Sequence, residues 1–105
     1  MKKMSIGLAL ATVMLASPAI AGDVAKGKSI AETICVACHN PVTGEGNMEI
    51  YPNIGGQKET YLKSSIKAYK DGQRSSPMAG IMKGMVMDLS DEDIDNVSAY
   101  FASLK

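Results

Sequence analysis

The chain has 105 residues, with eleven basic and eleven acidic side chains, two cysteines, one histidine, one phenylalanine and no tryptophan. A balanced charge excludes the strongly basic surface of a nucleic-acid binder. The length allows one domain, and a domain this small draws only a marginal stability from its own apolar core.

In chain order, the first element is a leader. Lys2 and Lys3 make a basic start, an apolar run follows through Leu15, and Ala19-Ile20-Ala21 gives a small-x-small cleavage pattern. These are the parts of a secretory signal peptide, 1–21. The apolar run is short for a span of ~20 residues, which argues against a membrane anchor. Cleavage after Ala21 leaves a single domain, 22–105, with nine basic and eleven acidic residues. That charge offers at most mild steering of a partner. Export points to the bacterial periplasm, and no later segment is expected to insert in a membrane.

Asp23 is placed to cap a first helix, expected over Val24–Val36. Val24, Gly27, Ile30, Ala31 and Ile34 share one face at helical spacing. Gly27 costs a helix ~1 kcal/mol against Ala, and a close helix–helix crossing is one reason to keep it.

The helix leads into Cys35-Val36-Ala37-Cys38-His39, which unites every cysteine and histidine of the chain. This is the spacing of c-type haem attachment. Two thiols three residues apart share a helical face and can add to the haem vinyl groups, and the adjacent imidazole is then placed to ligate iron. Other readings of the motif are a redox disulfide, a zinc site, a structural disulfide or buried apolar residues. The redox motif belongs beside a βαβ pattern, which this sequence does not show. Structural zinc requires four ligands, so carboxylates would have to complete the set.

Residues 40–57 break the helical pattern with Pro41, Gly44, Gly46, Pro52, Gly55 and Gly56. A loop this long is unusual in a small domain. Wrapping a flat cofactor explains it. Asn53 and Gln57 are candidates for polar contacts or for turn formation.

A second helix is expected over Glu59–Lys70, with Tyr61, Leu62, Ile66 and Tyr69 as its apolar stripe and Asp71-Gly72 as its end. Met78, Met82, Met85 and Met87 follow closely. Ser90 with Asp93 opens a final helix in the manner of a capping box. Ile94, Val97, Tyr100, Phe101 and Leu104 form its core stripe. A haem held by one His has a second face to fill. The sequence has no second His and no spare Cys, so a thioether is the natural ligand.

Cys35 to His39, Tyr51-Pro52-Asn53-Ile54-Gly55-Gly56-Gln57, the methionine segment and Leu89-Ser90-Asp91-Glu92-Asp93-Ile94 together resemble a class I cytochrome c. The likeness is to small bacterial monohaem types and to single lobes of their dihaem relatives, and it runs through the chain after the leader. It implies an all-α fold of three to four helices and long loops wrapped around one covalently bound haem c. It implies thioether bonds at Cys35 and Cys38, and His39 as proximal ligand. The Pro52 carbonyl would accept from the other nitrogen of that ring. Gly27 would sit where the first and last helices cross, against Tyr100 or Phe101. Counting back from Leu89 makes Met82 the distal ligand, with Met85 as runner-up. Arg74 would pair with a haem propionate.

The activity implied is single-electron transfer, with no catalysis at the iron. Its partners would be redox proteins: a dehydrogenase, a cytochrome complex or a terminal oxidase. The protein would act as a monomer or as a subunit of such a complex. A haem enzyme or gas sensor would require an open sixth position, and no distal His or Arg is placed for peroxide chemistry.

Overall fold

The computed structural model describes residues 22–104. The leader, 1–21, lies outside the described residues. Four helices form: α1 (Val24–Thr33), α2 (Glu59–Lys70), α3 (Ala79–Val86) and α4 (Asp91–Ser103), with a short 3₁₀ turn at Cys35–Ala37. No strand forms among the described residues, only an isolated bridge between His39 and Gly46.

Helix α1 begins where Asp23 accepts from the Lys26 amide at 3.1 Å. It ends at Thr33 rather than at the expected Val36. The reason lies in the hydrogen bonding. The Ile34 amide still reaches back to the Ile30 carbonyl at 2.8 Å, but the amides of Cys38 and His39 both donate to the Cys35 carbonyl. The backbone therefore tightens into a 3₁₀ turn, a common way to finish an α-helix. That turn carries the two thiols.

Helix α1 packs on α4 through Gly27. A Cβ there would stand 2.8 Å from the Tyr100 Cβ and would also strike the Asn96 carbonyl. Only glycine lets the two backbones come this close, so its unfavourable helix propensity is offset by the crossing. Asn96 adds a tie, its side-chain oxygen accepting from the Asp23 amide at 2.8 Å. Helix α4 starts at a full capping box: Ser90 Oγ accepts from the Asp93 amide, and Asp93 Oδ2 accepts from the Ser90 amide, each at 3.0 Å.

Two apolar clusters hold the helices. Ala31, Leu62, Val97, Tyr100 and Phe101 join α1, α2 and α4. Val86, Leu89 and Ile94 join the end of α3 to the start of α4. Ile94 is fully buried, and burial of a side chain this size is worth about 1.5–3 kcal/mol.

The long loop is ordered by its own hydrogen bonds. Asn40 receives the Gly44 amide and donates its own to the Glu45 carbonyl, each at 2.7 Å. Gly44 has φ +75°, and Gly55 packs directly on it, leaving no room for a side chain. Asn53 accepts from the Gly46 amide at 2.9 Å, and the Gln57 side chain donates to the Asn53 carbonyl at 2.6 Å. Both residues therefore shape the turn. The loop is pinned to α4 by the Gly56 amide on the Phe101 carbonyl at 2.8 Å and by the Tyr100 hydroxyl on the Pro41 carbonyl.

Helix α3 was not foreshadowed as an element. Met78 sits at its N-cap and makes no side-chain hydrogen bond, and Gly80 and Gly84 interrupt its eight residues. Neither capping chemistry nor propensity announces it. Apolar contact of Ala79 and Val86 with the rest of the fold carries it instead.

Candidate haem site

The helices and the loop enclose a cavity of about 440 Å³. Its wall is mostly apolar: Ile34 from the end of α1, Leu62 and Ile66 from α2, Val86 from α3, and Val97 and Phe101 from α4. A few polar groups are set into this wall, as in most cofactor sites.

The 3₁₀ turn brings Cys35, Cys38 and His39 to one side of the cavity. The thiols are not joined to one another. Burial pushes the Cys35 thiol up to about 11, so it is held as a thiol rather than a thiolate. The Tyr51 phenol, by contrast, is raised first by its contact with Cys38.

His39 is only 4% exposed. Burial lowers its pKa, which favours the neutral, ligating form. The Pro52 carbonyl opposes that fall, and Nδ1 of the ring is buried with no close, well-aligned partner among the described residues. An orphaned buried ring nitrogen calls for an explanation. Among the described residues no group of three or more His, Cys, Asp or Glu could hold a metal ion, so carboxylates do not complete a zinc site with this motif.

Met78, Met82 and Met85 line the same cavity. Met82 is half-buried and packs on the Val86–Leu89–Ile94 cluster. Met85 is 37% exposed. Met78 is a third thioether at the cavity that sequence counting passed over. Met48 and Met87 are exposed and lie elsewhere.

Arg74 also lines the cavity. Its guanidinium donates to the Tyr69 hydroxyl at 3.0 Å and to Ser65 Oγ at 3.1 Å, and its Cζ lies 4.7 Å from the centre of the Tyr69 ring. Contact with Tyr61 and then Tyr69 raises the Arg74 pKa further, so its charge is secure. Among the described residues Arg74 makes no salt bridge, which leaves a cation at the cavity held by neutral hydroxyls.

These residues fit a covalently bound haem. Unjoined thiols, an imidazole kept neutral by burial and three thioethers line one mostly apolar cavity.

Comparison with known proteins agrees. The family model described as "Cytochrome c" matches residues 24–105. The chain is 53% identical over 83 residues to cytochrome c-554(548) of Halomonas halodenitrificans, covering 79% of this chain and 98% of the relative. It is 35% identical over 105 residues to cytochrome c4 of Pseudomonas aeruginosa, covering all of this chain and 50% of that one. The crystal structure of reduced recombinant cytochrome c4 from Pseudomonas stutzeri superposes with a TM-score of 0.67 at 26% identity, over 81% of this chain and 52% of that chain. The chain thus spans about half of cytochrome c4 and nearly the whole of c-554(548). With four helices, no strand among the described residues, and the thiol–imidazole motif at an apolar cavity, this chain belongs to the cytochrome c family of haem c electron carriers.

Proposed function

We propose that the protein shuttles single electrons in the bacterial periplasm through a haem c ligated by His39 and Met82, after a leader is cleaved behind Ala21. One observation carries this reading above the rest: His39 and the methionine group line the same apolar cavity. Bound haem supplies a one-electron ferric/ferrous couple, and Met/His ligation places it among electron-transfer centres of raised potential. Every other task falls to the chain. Cys35 and Cys38 tether the group. His39 is kept neutral by burial. Helix α3 presents the thioether, and the apolar wall excludes water.

Met82 is the distal ligand in this reading because it is braced. Its side chain rests on a packed cluster, whereas Met85 is more than a third exposed. A ligand to an electron-transfer centre works best when it keeps one position in both oxidation states. Arg74 is assigned to a propionate, since its cluster offers a fixed cation without a carboxylate partner. The partners are redox proteins (a dehydrogenase, a cytochrome complex or a terminal oxidase) met briefly through small interfaces.

The test is optical. Ferric protein purified from periplasm should show the weak charge-transfer band of Met–iron ligation. Met82→Ala should abolish that band and lower the potential, while Met85→Ala should keep both. Loss of the band in Met85→Ala alone would reassign the ligand. Haem that extracts into acid acetone would remove the covalent attachment and the reading with it.

A further inference from the structure

Ser98 is a buried hydroxyl that no role described so far uses. It lies in the middle of α4, among the residues around the haem cavity, with its hydroxyl sealed within the wall and no exposed surface. Its Oγ makes no hydrogen bond within the protein. A serine in a helix usually turns its hydroxyl back to a carbonyl of the preceding turn. Ser98 does not, although Ser103 in the same helix bonds the Tyr100 carbonyl at 2.6 Å. Leaving a buried hydroxyl unsatisfied carries the full cost of taking that group out of water. The neighbouring α4 residues that line the cavity, Val97 and Phe101, are apolar. A residue that stands against this pattern at a measurable cost is a candidate for function.

We propose that Ser98 tunes the reduction potential of the haem, its free hydroxyl acting as a reorienting dipole in the cavity wall. This inference rests on the haem reading but not on the choice of distal methionine. Its physics is simple. The ferric centre carries one more positive charge than the ferrous. A hydroxyl fixed by a hydrogen bond acts with whatever sign its fixed direction gives. A hydroxyl free to rotate turns its oxygen toward the added charge, and so favours the oxidised state. The low-dielectric wall strengthens the interaction, because charge–dipole energies are screened less there than in water. Ser98 therefore holds the potential below the value an all-apolar wall would give. It touches neither axial ligand in this role, so it is a positioning-free modulator rather than a ligand.

The experiment uses intact holoprotein and two pairs of side chains. Ser98→Ala removes the oxygen with little change of shape. Ser98→Val and Ser98→Thr form a second pair of nearly equal volume that differs by the hydroxyl. The readouts are the midpoint potential and the ferric charge-transfer band. Ser98→Ala should shift the one-electron equilibrium about threefold toward the reduced state, ~28 mV upward at 59 mV per tenfold. Val should lie above Thr by a similar amount, with the band kept throughout. If Ala disturbs the band, the Val–Thr difference decides alone. Equal potentials within each pair, or a fall on removal of the hydroxyl, would overturn the proposal. A change of distal ligand would show in the band and not as a Val–Thr difference, so failure of the Met82 assignment is separable.

Discussion

The two sides of the cavity are built by different means. The histidine side is over-determined. Gly27 sets the α1–α4 crossing, the Cys35 carbonyl fixes the turn, and the Tyr100 hydroxyl and Gly56 amide pin the loop to α4. The methionine side rests on α3, which has two glycines, no side-chain cap and only its ends buried. On the proposed ligation, Cys35, Cys38 and His39 would hold the haem from the rigid part of the fold and Met82 from the lightly built one.

The largest expected effect is on the rigid side. Gly27→Val places a branched side chain against the Asn96 carbonyl and the Tyr100 Cβ. Overpacking of this kind costs about 3 kcal/mol, and here the obstacle is partly backbone. Thermal unfolding of the holoprotein should show a large fall in midpoint, and the yield of matured protein should drop with it. A variant as stable as the parent would mean that α1 and α4 can part without loss. On the lightly built side the sign reverses. A Cβ at Gly84 meets nothing within 4 Å, and Gly84 does not line the cavity. Gly84→Ala should therefore stabilise α3 by about 0.5–1 kcal/mol through helix propensity and a less flexible unfolded chain. Destabilisation would show that the glycine serves a motion or a contact that the static fold does not contain.

The same contrast governs what could be read from the sequence. Cys35, Cys38, His39, Gly27 and the Ser90–Asp93 cap were all legible, because each rests on local chemistry: a spacing, a close approach, a reciprocal hydrogen bond. The α1 boundary was missed by three residues, since the switch to a 3₁₀ turn depends on which carbonyl two amides share. Helix α3 was missed as an element because packing, not propensity, makes it. Ser98 was invisible, and Met78 was seen only as one of the methionine segment, for a related reason. A methionine or a serine in an amphipathic stretch says nothing of cavity walls until the helices are assembled. Pro52 lines the cavity with His39, and its carbonyl raises the His39 pKa against the effect of burial.

The smallest expected effect lies at the rim. Contact with Arg74, then with Ser65, lowers the Tyr61 phenol below its usual value near 10. An acid whose folded pKa is depressed adds stability above its unfolded pKa and loses it as pH falls through the folded one. Any contribution from Tyr61 is therefore confined to alkaline pH. Because the phenol is exposed, water screens it, and the titration is a better readout than stability. Tyrosine-selective carbon labelling should show the Tyr61 phenol ionising below its ordinary value in the holoprotein. Arg74→Gln should return it to the ordinary range. If no phenol of the parent ionises below its usual value, the Arg74–Tyr61 contact does not persist in the holoprotein and the prediction fails.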